Sequence, residues 1–215
     1  MWAAMRALPA ATLAAPPSPE ADVKTALLSL MRGIDRLNRF VGRAMLWPVL
    51  LSVFIAVGNA MSRKFFSISS NGWLEVQWHL FALAFLGCGG YVLLVDEHVR
   101  IDVLSRRWSA RTRAVIDVVG LAFVALPTAV LIAVHGWTIF MHALHTHEAS
   151  FNAGGLYVAP LYLCIPLGMG LLGLQVVSEL IRRAGFLLGW HGSGVLSEAD
   201  LPAVVVVAAG IGDAQ

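Results

Sequence analysis

Four runs of about 20 apolar residues, separated by short polar segments, constrain this chain more than any other feature. A helix needs about 20 mostly apolar residues to cross a hydrocarbon core roughly 30 Å thick. The runs lie at about residues 44–62, 75–95, 114–141 and 159–181. With no water in the hydrocarbon, a spanning backbone must bond to itself, as a helix or a closed barrel. The apolar residues run continuously instead of alternating, so helices are expected. Composition agrees: the 215 residues are 58% hydrophobic and 13% charged, about half the usual charge of a soluble domain. A soluble enzyme, a disordered chain and a nucleic-acid binder are excluded. The expected fold class is an all-α integral membrane protein with four transmembrane helices.

The basic residues set an expected orientation, because Lys and Arg in short loops stay cytoplasmic. Arg6, Lys24, Arg32, Arg36, Arg39 and Arg43 precede the first span. Arg100, Arg106, Arg107, Arg111 and Arg113 lie between the second and third, and Arg182 and Arg183 follow the fourth. One side therefore holds 13 of the 15 basic residues, leaving Arg63 and Lys64 on the other. Both termini are expected in the cytoplasm.

Residues 1–23 are Ala- and Pro-rich and read as a disordered extension. A signal peptide, or a natural start at Met31, stays open beside that reading. Residues 184–215 read as a tail, whose Leu201–Ile211 stretch is too short to span.

Residues 24–43 form an expected amphipathic helix. Leu27, Leu30, Met31, Ile34, Leu37, Val41 and Met45 recur on one stripe, while Arg32, Arg36, Arg39 and Arg43 share another. Such a helix lies in the membrane interface with its charges toward anionic headgroups. It serves as a topology signal or packs partly on another subunit. The segment Asp96–Arg113 repeats the pattern, with Ile101, Leu104 and Trp108 on one face and His98 four residues before Asp102. Trp108 joins the four arginines as an expected interfacial anchor, and Ser109 is an expected N-cap for the third span.

Polar groups inside the runs mark candidate sites. Asp117 is expected to pair with Arg113, and Glu179 with Arg182 and Arg183. Gln175 and Asn59 are expected to bond across helices. Glu75 opens the second span with no basic residue one turn away, so it meets either headgroup water or a partner. Small residues cluster at Ala84, Gly87, Cys88, Gly89 and Gly90, and again at Gly168, Gly170 and Gly173. They let another helix approach closely, from this bundle or from a second protein. Pro48, Pro127, Pro160 and Pro166 are expected to kink their helices.

Two histidines invite a redox reading. His79 and His135 come out at similar depths when counted from the span ends, as a haem-holding pair would. His142, His145 and His147 form an H-x2-H-x-H run that matches no closed metal site well. Cys88 and Cys164 lie inside apolar runs and give no disulfide framework. No phosphate loop occurs, and no nucleophile–base arrangement has supporting context. The expected protein is not an enzyme and holds no cofactor or metal.

Beyond these readings, the pattern from Met31 to Arg183 resembles a known family. The carrying segments are "IDRLNRFVGRAMLWPVLLSV", "WLEVQWHLFALAFLGCGGYVLLVDEHVRIDVLSRRWSARTRAVIDVVG" and "YVAPLYLCIPLGMGLLGLQVVSELIRR". The most distinctive part runs from His98 to Leu104. These resemble the small, DctQ-like membrane subunit of tripartite ATP-independent periplasmic (TRAP) transporters. The resemblance implies a bacterial inner-membrane protein with two partners, a large permease subunit and a periplasmic substrate-binding protein. In such systems the binding protein delivers an organic acid, such as a dicarboxylate, and an ion gradient drives its uptake through the large subunit. The small subunit braces that large subunit. Candidate interface residues are then Glu75, Gly87, Gly90, His98, Arg100, Asp102, Gly168 and Gly173. A cytochrome b-type electron carrier using His79 and His135, and a scaffold unrelated to transport, stay open as alternatives.

Overall fold

The computed structural model describes residues 19–68, 70–95, 109–152 and 155–190. Helix α1 spans Pro19–Ala44 and α2 spans Leu46–Phe66, separated only by a turn at Met45. Helix α3 is Asn71–Leu94, α4 is Ala110–Gly120, and a π-helical turn at Leu121–Ala125 joins α4 to α5 at Leu126–Thr146. Helix α6 runs from Ala159 to Leu187. Four helical segments are long and apolar enough to cross a membrane: Asp22–Phe66, Asn71–Leu94, Arg111–Thr146 and Ala159–Leu187. Among the described residues there is no strand, only one isolated bridge between Ala149 and Tyr157.

Helix α6 is the centre of the bundle, packing along α5, α3 and α1, while α2 packs on α3. The interior is made of small residues and the exterior of large ones. Ala84, Gly87, Gly90, Ala129, Gly136, Ala143, Ala159 and Gly168 are buried, whereas Phe85 and Phe123 are 71% and 77% exposed. Water would penalise that arrangement; lipid does not, because close backbone approach and interhelical bonds drive association there. A Cβ built on Gly168 would fall 2.7 Å from the Leu86 backbone oxygen, and one on Gly90 3.0 Å from that of Leu171. At these crossings α3 and α6 touch backbone to backbone.

Local chemistry accounts for the helix ends. The Ser109 hydroxyl accepts from the Thr112 amide at 3.2 Å, capping α4 as its position predicts. Pro48 and Pro160 fall in the first turns of α2 and α6, where no intrahelical donor is lost. Pro127 follows the π turn, whose widened ring closes from the Leu126 amide to the Leu121 carbonyl. The third span therefore absorbs its proline with a widened turn. Of the four prolines, Pro166 alone lies well inside a helix.

The first helix differs most from its sequence reading. Its buried row is Leu28, Met31, Asp35, Asn38 and Gly42, with Ile34 beside it, while Leu30 and Leu37 are 51% and 43% exposed. The row advances three and four residues at a time, the spacing of a helix wedged between two others. Asp35 and Asn38 thus occupy seam positions, and the apolar stripe read through Leu30 and Leu37 is displaced from the true contact face. Nor does α1 lie apart from the spans. It runs antiparallel to the second half of α6, with Lys24 by Trp190, Met31 by Ser178 and Asn38 by Leu171.

Candidate functional sites at the two ends of the bundle

At the end where α1 lies, a continuous polar cluster joins three helices. Gln175 Nε2 donates to Asp35 Oδ1 at 2.9 Å, and Ser178 Oγ donates to the same oxygen at 2.6 Å. Asn38 Nδ2 donates to Gln175 Oε1 at 2.9 Å. Arg182 bonds both Asp35 and Glu179, and Arg183 bonds Glu179. Arg183 Nε reaches Asp117 on α4 at 3.1 Å. Asn38, Gln175 and Ser178 are fully buried, as nearly are Glu179 and Arg183.

Each carboxylate here faces a guanidinium whose fixed donors match it geometrically. The pairing of Glu179 with both arginines follows from i, i+3 and i, i+4 spacing and agrees with expectation. The spacing predicts that Asp117 meets Arg113 one turn before it; the structure places Asp117 against Arg183, which ties α4 to α6. Gln175 bonds across helices as expected, to Asp35 and Asn38 of α1. Asp35, Asn38 and Ser178 were not singled out from sequence. The signal that finds them is phase: Asp35 and Asn38 fall on the same three-four repeat as Leu28 and Met31.

The opposite end is organised by Glu75. Its carboxylate accepts from Asn152 Nδ2 at 2.8 Å and from the Leu156 amide at 2.6 Å, and the residue is 3% exposed. These bonds hold the segment between α5 and α6 over the start of α3. That segment folds back on itself, with the Val158 amide donating to the Glu148 carbonyl and the Ser150 amide to the Leu156 carbonyl. Tyr157 Oη donates to the Leu144 carbonyl at 3.2 Å. The sequence leaves Glu75 a choice of headgroup water or a partner; in the structure its carboxylate takes two donors from this chain.

The glycine candidates also find their neighbours within the chain. Gly87 faces the Met45 side chain, Gly90 faces Asn38 and Leu171, Gly168 faces Leu86, and Gly173 is in ordinary contact with Ala129. By contrast, a Cβ on Gly89 or Gly170 would meet nothing within 4 Å. His98, Arg100, Asp102 and Trp108 lie outside the described residues.

The histidine pair does not hold the expected register. Gly136 faces Ile165 and Pro166 while Gly168 faces Leu86, which puts His135 level with about Ala84, roughly 7 Å deeper than His79. Helix α6 packs along both α3 and α5, and those two helices share no extended face. The Nδ1 of each imidazole bonds the carbonyl four residues earlier, at Glu75 and Leu131. His142, His145 and His147 are exposed. Among the described residues, no group of three or more His, Cys, Asp or Glu is placed to hold a metal ion.

A family model described as tripartite ATP-independent periplasmic transporters, DctQ component, matches residues 52–185. The chain belongs to this family. The DctQ match takes in most of α2 and all of α3 to α5, and it ends two residues short of the end of α6. It includes Glu75, the hairpin it holds, and the α6 half of the polar cluster; Asp35 and Asn38 of α1 lie before it. Comparison with curated proteins and with solved structures gave no match. As a DctQ component the protein is a multi-pass membrane subunit of a TRAP transporter.

Proposed function

We propose that this chain braces the large permease subunit of a TRAP transporter in a bacterial inner membrane, with both termini in the cytoplasm. The large subunit moves an organic acid, such as a dicarboxylate, delivered by a periplasmic binding protein and driven by an ion gradient. The observation that carries this reading is the DctQ match across residues 52–185. The bundle's construction supports it. Backbone-to-backbone contacts through Gly90 and Gly168, and ion pairs linking α1, α4 and α6, make a stiff block of the kind a scaffold needs. Its outer surface of Phe and Trp side chains is suited to lipid or to a second membrane protein.

In this proposal the contacts with the large subunit fall to His98, Arg100 and Asp102 after α3, and to the small open faces at Gly89 and Gly170. Glu75 contributes by fixing the hairpin on the periplasmic side. Co-expression of the chain with the large subunit tests the reading. Joint purification and loss of uptake on deleting this chain are expected. A large subunit that purifies alone and transports at full rate without it would overturn the proposal.

A further inference from the structure

Asp35 divides α1 into two chemically opposite faces. Its carboxylate turns inward to Gln175, Ser178 and Arg182. Arg36, Arg39 and Arg43 turn outward and are exposed. None of these three makes a hydrogen bond, ion pair or ring contact with a described residue. Phe40 and Trp47, each 72% exposed, continue the same face at helical spacing. Three cations and two aromatic rings thus share one stripe, with the nearest acidic side chain of the helix withdrawn into the interior.

The level of this stripe is set by the seam on the other side of α1. Gly42 packs on Tyr91 and Met45 on Gly87, close to where α3 ends at Leu94. Arg43 and Arg39 therefore flank the level at which α3 leaves its span, and Arg36 lies about one turn beyond. From Arg36 to Arg43 the row covers about 10 Å along the helix. Headgroup and interfacial regions add roughly 5–8 Å on each side of the hydrocarbon core, and arginine stems extend that reach. The row therefore lies on a helix that packs along a span.

We infer that this face of α1 is a docking surface for an anionic glycerophospholipid. Its phosphate is held by the guanidinium groups of Arg36, Arg39 and Arg43, and its acyl chain runs beside Phe40 and Trp47. Charge complementarity selects the occupant: guanidinium pairs with phosphate in a bidentate geometry, and two aromatic rings share the stripe, Phe40 within the row and Trp47 one turn past Arg43 at the start of α2. The surface is independent of whether the chain braces a permease, and the isolated protein tests it.

The measurement is native mass spectrometry of the full chain from mixed micelles holding equal phosphatidylglycerol and phosphatidylcholine. Wild type should retain phosphatidylglycerol in preference. Each arginine near an anionic surface is worth roughly fivefold; after screening by salt, R36Q/R39Q/R43Q should lose about tenfold or more of that retention. The triple lysine variant, which keeps the charge but loses the bidentate fork, should retain an intermediate amount, and R63Q/K64Q at the far end should keep all of it. Circular dichroism of each variant separates loss of lipid from loss of fold, since these side chains are exposed and make no hydrogen bond or ion pair with a described residue. Equal retention of both lipids by wild type, or unchanged retention by the glutamine variant, overturns the inference. So does a glutamine variant that keeps its lipid but no longer co-purifies with the large subunit, which would make this face a protein interface.

Discussion

At one end of the bundle, five charged side chains tie α1, α4 and α6 together; at the other, a single carboxylate ties a hairpin to α3. Between them the helices meet through Gly90, Gly136 and Gly168. The difference follows from what each contact must do. Ion pairs hold long side chains at a distance and tolerate small shifts, provided each charge keeps a partner. The contacts at Gly90 and Gly168 allow no shift, because backbone meets backbone there. Charge in the bilayer centre is costly, so the stiff contacts occupy the middle and the charged ties the ends.

The charged end is expected to give the largest effect. Arg182→Leu leaves Asp35 without its guanidinium, and removing one partner of a buried pair costs about 3–5 kcal/mol. Unfolding in a denaturing detergent, followed by circular dichroism, should show a loss of this size. Combining it with Asp35→Leu should restore part of the loss, because a buried pair replaced by apolar groups is often near neutral. Recovery stays incomplete, since Gln175 Nε2 then loses its acceptor. A double variant less stable than either single one would show that the ties are not pairwise.

The glycine middle comes next. At Gly168 an added methyl meets the Leu86 backbone, which cannot give way. Gly168→Ala should therefore cost about 1–3 kcal/mol, the range for overpacking. Gly90→Leu should exceed it, since Asn38 is pinned there by Gln175. Wild-type stability of either variant would mean that α3 and α6 can part. The Glu75 end should respond locally: Glu75→Ala frees Asn152 and the Leu156 amide, so the segment between α5 and α6 should be cut faster by protease while global unfolding stays nearly unchanged. A large global loss would make the two ends energetically alike.

Much of this layout was legible in the sequence, and the exceptions share a cause. The four spans, the Ser109 cap and the pairing of Glu179 with Arg182 and Arg183 are properties of one helix or one turn, so spacing alone reveals them. Glu75 and Asp117 were visible as candidates, but their partners Asn152, Leu156 and Arg183 are 66 to 81 residues away and depend on which helices adjoin. The α1 stripe was misplaced because Leu30 and Leu37 are apolar enough to look buried, while Asp35 and Asn38 are polar enough to look exposed. In a bilayer that rule inverts, and seam phase is the better guide. The depth of His79 against His135 failed for a related reason: counting from span ends ignores how far each helix overshoots its span.

The smallest expected effect is also the one of opposite sign. Gly89 adjoins Gly90 in α3, yet a Cβ there meets nothing within 4 Å, and the same holds for Gly170. In a helix interior, alanine is favoured over glycine by about 0.8–1.0 kcal/mol. Gly89→Ala should therefore leave the isolated chain unchanged or raise its stability by up to about 1 kcal/mol, where Gly90→Ala lowers it. Two neighbouring glycines, substituted identically, would move in opposite directions because one faces Asn38 and the other faces outward. The complex with the large subunit adds a second readout. If Gly89 lets a partner helix approach closely, Gly89→Ala should stabilise the isolated chain and weaken recovery of the complex. Stabilisation with undiminished recovery would leave the open glycines facing lipid and place the subunit contact elsewhere on the bundle.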